Sequence, residues 1–255
     1  MPLELVTIPC LKDNYAYLLH DAASGEAALV DAPEAAPILA ALAERGWALH
    51  QILLTHHHPD HVDGVAALVA ATGARVLGAA ADAHRLPPLD RALSDGDTVE
   101  VAGSLGHVID VSGHTMGHIA FHFPADAVVF TADSLMALGC GRLFEGPPDT
   151  MWRSLTRLAG LPGETTVCSG HEYTLGNARF ALTIEPANPA LQARAAAVQA
   201  ARSEGRPTVP SRLSEELATN PFLRAHLPAL KAALGMEGAS DVEVFAEIRR
   251  RKDVF

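Results

Sequence analysis

Short apolar runs, several of them alternating with polar positions, fill the first two-thirds of the chain. Residues 15–20 and 26–31 read as two strands joined by a turn at Ser24-Gly25. The stretch 34–45 has the spacing of a helix, and Gly46 stops it. A strand at 50–54 runs into a histidine-rich turn, and a helix is predicted from about 62 to 71, ended by Gly73. Further strand-like runs lie at 75–77, 98–101, 108–111, 119–123, 127–131 and 165–168. Mixed elements of this kind predict layered sheets flanked by helices, an α/β arrangement. The pattern changes after His171. Residues 177–184, 189–202, 214–218, 228–234 and 241–250 all read as helices between Pro, Gly or Asn breaks, and no strand is expected among them. The chain is therefore expected to form an α/β domain over 1–172 and a small all-helical domain over 173–255.

Composition narrows the function classes. With 255 residues, 49% of them hydrophobic and 19% charged, the chain can bury a substantial core. Its apolar runs fall far short of the ~20 residues that span a bilayer, and the N-terminus lacks a basic leader, so a cytoplasmic protein without a membrane partner is expected. The net charge of −11 argues against nucleic acid as a partner. It leaves an anionic small molecule open, because that depends on local charge. Cys10, Cys140 and Cys168 are odd in number and form no C-x-x-C pair, which points to buried, reduced thiols. The 13 histidines direct attention to metal chemistry.

The strand at 50–54 leads into Thr55-His56-His57-His58-Pro59-Asp60-His61. In an extended chain His56 and His58 share a face while His57 points away, and Pro59 favours a turn that brings Asp60 and His61 alongside. A chance cluster or a single structural zinc would be the plainer reading, but three more strand-like runs also end on potential ligands. They lead into Ser112-Gly113-His114, Ala132-Asp133-Ser134 and Ser169-Gly170-His171. Strand ends along one sheet edge are where α/β sites assemble. Seven converging ligands are expected: His56, His58, Asp60, His61, His114, Asp133 and His171. Seven exceeds one tetrahedral zinc and suits two metal ions with a shared carboxylate.

The H-x-H-x-D-H motif, with His114, Asp133 and His171 following in that order, resembles the metallo-β-lactamase superfamily. Gly139-Cys140-Gly141-Arg142-Leu143-Phe144-Glu145-Gly146, His171-Glu172-Tyr173-Thr174, Asn220-Pro221-Phe222-Leu223-Arg224 and the ending Ile248-Arg249-Arg250-Arg251-Lys252-Asp253 are similar to glyoxalase II, the hydroxyacylglutathione hydrolases. The resemblance covers essentially the whole chain. It implies a metallo-β-lactamase-like αββα sandwich followed by the small helical domain, and S-D-lactoylglutathione as substrate, cleaved to D-lactate and glutathione. It further implies one metal on His56, His58 and His114, a second on Asp60, His61 and His171, and Asp133 bridging them. Substrate-binding groups would be Arg142, Phe144, Tyr173, Arg249 and Lys252. A common form of the family has Lys at position 142 and Tyr at 144, so Phe144 lacks a hydroxyl that could contact glutathione.

Two metal ions sharing a water supply hydroxide at neutral pH, which would attack the thioester carbonyl, with Asp60 also able to orient the nucleophile. No G-x-S-x-G elbow, P-loop or G-x-G-x-x-G competes with this reading. Arg249 and Lys252 lie three apart on the last helix. Spacing alone does not separate substrate binding from complementing the helix dipole. His118 is a candidate neighbour of the ligands, Cys140 a small filler, and the other histidines are ordinary surface or core residues. The alternative is a mononuclear-iron glutathione persulfide dioxygenase of the same superfamily, using His56, His114 and Asp133, but it would not call for the helical extension. Two divalent ions are expected, zinc first, with iron or manganese also compatible, in a monomer.

Overall fold

The computed structural model describes residues 3–255. They form two compact units, one made of the chain through Val111 with Thr115–Ala132, the other of Ser112–His114 with Asp133–Phe255. The boundary near residue 172 expected from the sequence and this division at 132 partition the chain differently.

In the first unit, β1 (Glu4–Cys10), β2 (Asn14–His20) and β3 (Glu26–Val30) pair antiparallel. The sheet continues in parallel with β4 (Ala48–Leu53), β5 (Arg75–Ala79) and β6 (Arg91–Leu93). Parallel neighbours need crossovers. Helix α1 (Ala35–Arg45) supplies the first, and α2 (Pro59–Val62) with α3 (Val65–Thr72) the second. Leu18, Leu29, Ile52 and Val76 stand side by side across the sheet on one face, all buried. The next row, Tyr17, Val30, Leu53 and Leu77, points to the other face. There the Tyr17 ring meets Phe130 at 5.5 Å. Phe130 belongs to a set of antiparallel strands, β7 (Thr98–Val101), β8 (Ser104–Asp110), β9 (Ile119–Phe123) and β10 (Val128–Ala132). Phe121, Phe123 and Phe130 are fully buried, each contributing about 1.5–3 kcal/mol.

Two differences from the sequence reading have local causes. Strand β1 escaped the pattern because Pro9 interrupts it, and proline is tolerated there because β1 is an edge strand. The helix expected from about 62 to 71 is α3, which starts at Val65, and the turn before it holds the short helix α2, separated from α3 at Asp63-Gly64. The Gly64 amide donates to the Ala32 carbonyl at 2.8 Å, and the Ala32 amide donates to His61 at 2.8 Å. A Cβ on Gly64 would lie 2.8 Å from the Glu34 carbonyl carbon, so only glycine admits this approach.

The second unit opens with a small hairpin, β11 (Leu135–Met136) and β12 (Gly139–Cys140). Helix α4 (Pro148–Ala159) and strand β13 (Thr166–Ser169) follow. Next come α5 (Thr174–Ile184), α6 (Pro189–Ser203), the two-residue β14 (Ser211–Arg212), α7 (Leu213–Thr219), α8 (Pro228–Leu234) and α9 (Asp241–Asp253). Strand β14 pairs antiparallel with β13, which corrects the expectation that no strand follows His171; two residues are too few to show a period. Helix α4 was missed because Thr150 and Ser154 dilute its buried face of Met151, Leu155 and Leu158. Ser154 justifies its place by donating to the Ser112 carbonyl at 2.6 Å. An aromatic row, Phe180, Phe222, Phe245 and Trp152, joins the helices at centroid spacings of 6.0, 6.0 and 5.9 Å. Among the described residues no helix is long and apolar enough to cross a membrane.

Glu216 holds the hairpin to the helices. Its side chain is fully buried and accepts from Leu138 N at 2.8 Å, Asn220 Nδ2 at 3.1 Å and Ser211 Oγ at 2.6 Å, and it pairs with Arg194. Asn220 Nδ2 also donates to the carbonyls of Met136 at 3.1 Å and Gly139 at 2.9 Å. Removing one partner of a buried ion pair leaves the other uncompensated. Glu216→Ala is expected to lower stability by about 3–5 kcal/mol in urea unfolding, and a loss under about 1 kcal/mol would contradict this account.

Candidate metal centre

In the first unit, Asp31 follows β3 and Thr55 and His56 follow β4, at the carboxyl ends of neighbouring parallel strands. Asp31 Oδ1 accepts the Thr55 amide at 2.9 Å, and Oδ2 accepts the Thr55 hydroxyl at 2.8 Å. Having given its proton to Asp31, the hydroxyl receives one from His56 Nδ1, at 3.0 Å. A neutral His56 ring then directs the Nε2 lone pair toward His58 Nδ1, 3.1 Å away. His61 is fixed in the same manner: Nδ1 donates to Asp31 Oδ2 at 2.8 Å, and Nε2 faces Asp60 Oδ2 at 3.9 Å. Asp60 is held in turn by Asn14 Nδ2, which donates to its carboxylate at 3.0 Å and its carbonyl at 2.9 Å. His57 points away, as alternation requires, and pairs with the buried Asp82 at 2.9 Å. His118 stacks on His56 at 4.5 Å, beside the ligand candidates as expected.

In the second unit, His114, Asp133 and His171 come together, each nearly fully buried. His114 Nδ1 lies 2.7 Å from the Arg142 carbonyl, which can only accept, so this nitrogen carries the proton. The lone pair of a neutral ring at Nε2 is thereby aimed at Asp133 Oδ2, 3.5 Å away. His171 Nε2 faces the same oxygen at 3.3 Å. A Cβ on Gly141 would sit 1.9 Å from the Asp133 carbonyl oxygen and 2.9 Å from His114 Nδ1, so the glycine lets this loop close against both.

Fixing one imidazole nitrogen to the protein while the other faces a further donor is how metal-binding histidines are oriented. The donor set, imidazole nitrogen and carboxylate oxygen without thiolate, fits divalent zinc, iron or manganese. Ligand atoms of Asp31, His56 and His61 also lie within 4.8 Å of one another. Asp31, however, already accepts three hydrogen bonds, and a cation there would break them. It orients His61 and Thr55 instead.

The candidate substrate residues separate into exposed and committed groups. Phe144 is 62% exposed and Tyr173 43% exposed. Phe144 leans on His114 at 5.3 Å, and Tyr173 stacks on His171 at 4.6 Å. Arg142 extends over Phe144 at 6.0 Å. Lys252 lies between Phe180 and Phe255, where burial pulls its ammonium below the ordinary lysine range and the Arg249 charge adds to the effect. Arg249 is buried and bound to protein groups, donating to the Cys140 carbonyl at 3.1 Å and to Asp253 at 2.7 Å. Burial pushes the Cys140 thiol up to about 11 although Arg249 acts in the opposite direction, which fits a filler rather than a nucleophile. All three cysteines are free and buried.

The model of the metallo-beta-lactamase superfamily matches residues 13–171, and that of the hydroxyacylglutathione hydrolase C-terminus matches 172–255. A hydroxyacylglutathione hydrolase of Cereibacter sphaeroides is 69% identical over 255 residues, covering 100% of both chains. The chain belongs to the hydroxyacylglutathione hydrolase family. Members of this family are thioester hydrolases with a metallo-β-lactamase fold and a helical C-terminal region, and this chain is such an enzyme. Solved structures agree on the fold. The BLEG-1 B3 metallo-beta-lactamase superposes with a TM-score of 0.68 at 21% identity, covering 86% of this chain and 99% of that one. TTHA1623, crystallised in a di-iron-bound form, gives 0.57 at 32% identity over 66% of this chain and 91% of that one.

Asp31, Thr55 and Asn14 are the contributors that sequence reasoning missed. For Asp31 a signal existed: an acidic residue ending an apolar strand, here with φ of 57°. Asp31→Ala is expected to weaken metal binding about 10–100-fold in a chelator competition. Wild-type affinity in that variant would reduce Asp31 to a packing role.

Proposed function

We propose that this hydroxyacylglutathione hydrolase cleaves S-D-lactoylglutathione to D-lactate and glutathione with two divalent metal ions. His56, His58 and His114 would hold one ion; Asp60, His61 and His171 would hold the other; Asp133 would serve both. The single observation that carries the reading is the arrangement around Asp133, where one carboxylate oxygen faces Nε2 of both His114 and His171. Bound at these residues, two such ions make a water strongly nucleophilic at neutral pH and offset negative charge on the carbonyl oxygen.

The chain's own groups account for the remaining work. Asp60, steadied by Asn14, would orient the nucleophile. The cations Arg142 and Lys252 receive carboxylates of the glutathione portion, and Tyr173 and Phe144 present apolar faces to it. Arg249 supports this region from beneath, through Cys140 and Asp253. Residues 1–172 would form the catalytic domain and 173–255 the substrate-binding domain. Zinc is the first candidate metal; the di-iron form of the related TTHA1623 keeps iron in view, and manganese suits the same donors. The net charge of −11 speaks against a nucleic-acid partner; a cytoplasmic monomer without a membrane partner completes the proposal.

Thioester loss from S-D-lactoylglutathione, followed with metal analysis of the same sample, tests the proposal. Turnover is expected with about two metal ions per chain. Asp133→Ala should lose metal and activity together. Full occupancy in that variant would overturn the shared role of Asp133, and one iron per chain with oxygen uptake on glutathione persulfide would overturn the reaction.

A further inference from the structure

Asp253 is the last residue of α9, and its Oδ1 gathers two arginines. Arg249 donates to it from Nε at 3.0 Å and from Nη2 at 2.7 Å, and Arg142 Nε lies 3.5 Å from the same oxygen. The two guanidiniums differ in setting. Arg249 is buried over the Phe222 ring at 5.3 Å and anchored to the Cys140 carbonyl, whereas the Arg142 side chain is 56% exposed. A carboxylate in the last turn of a helix is opposed by the helix dipole. Asp253 is kept there by the arginines rather than by its helix.

This geometry forms a relay of position. The Cys140 backbone fixes Arg249, Arg249 fixes Asp253, and Asp253 restrains a long cation that would otherwise sample many rotamers. We propose that Asp253 is a positioning residue for substrate binding: it holds the Arg142 guanidinium ready for a carboxylate of the glutathione portion. The assignment rests on the reading of Arg142 as a substrate-binding group. Asp253 is not among the proposed ligands and is given no part in the chemistry itself. Its negative charge, by itself, would disfavour an anionic substrate, so the two effects oppose and the sign of the change in KM separates them.

Steady-state kinetics of the metal-loaded enzyme on S-D-lactoylglutathione test this with Asp253→Asn, Asp253→Glu, Arg142→Ala and the double variant Arg142→Ala/Asp253→Asn. Asparagine keeps an acceptor for Arg249 while removing the charge that holds Arg142. Asp253→Asn is expected to raise KM about fivefold, the cost of ordering one long side chain on binding, with kcat changed less than about twofold. Asp253→Glu should recover most of the affinity. In the double variant KM should match that of Arg142→Ala, because the group being positioned is already gone. A KM unchanged or lowered in Asp253→Asn, or effects that multiply in the double variant, would overturn the proposal. If Arg142→Ala leaves KM unchanged, the binding role of Arg142 itself fails. Thermal unfolding of each variant, with Tm held near wild type, assigns the KM changes to positioning; a KM rise that tracks a fall in Tm would return Asp253 to a structural role.

Discussion

The Asp31 carboxylate, at the end of β3, organises the histidine-rich turn. It accepts the backbone amide and hydroxyl of Thr55 and the Nδ1 proton of His61, and through Thr55 it sets the proton on His56. Two imidazoles are thereby aimed by one buried acid. Because each hydrogen bond places a proton on one ring nitrogen, the other nitrogen carries a lone pair for a metal. Loss of this acid would free both the rotamer and the tautomer of the rings.

In the other unit the corresponding constraint is Glu216 with Asn220. They tie the backbone of Met136, Leu138 and Gly139 to the helices, and so fix the start of the loop that carries Cys140, Gly141 and Arg142. That loop's carbonyl at Arg142 sets the His114 tautomer, and its glycine admits the Asp133 backbone. The Asn220-Pro221-Phe222 segment, far along the chain, thus acts on His114 and Asp133 through a hairpin. Its Phe222 supplies the ring beneath Arg249.

Three of the six non-glycine residues with positive φ among the described residues lie at these same places. Asp31 has φ of 57°, Ala132, just before Asp133, has φ of 41°, and Leu138 in the hairpin has φ of 56°. Such conformations cost about 1–3 kcal/mol each for non-glycine residues and persist only where surrounding contacts demand them. For Asp31 the demand is visible: three hydrogen bonds converge on the side chain that this backbone turn presents.

The sequence by itself determined the strands that alternate cleanly, most of the helices and the ligand-type residues, because periodicity and chemical type are local properties. His56, His58, Asp60 and His61 could be singled out from spacing, and His114, Asp133 and His171 from their position after strand-like runs. Helix α4 and strand β1 were not legible, since Ser154 is explained by the Ser112 carbonyl it bonds and Pro9 by the edge position of its strand, neither of which the neighbours in sequence reveal. Only the tertiary structure decided that Asp31 is an orienting acid, that Arg249 is a buried support while Arg142 stays exposed, and that Asp253 joins them. Those roles depend on which groups share a carboxylate across long stretches of chain. Residues 142 and 253 are brought to one oxygen by packing of the α9 helix, and no local pattern records that meeting.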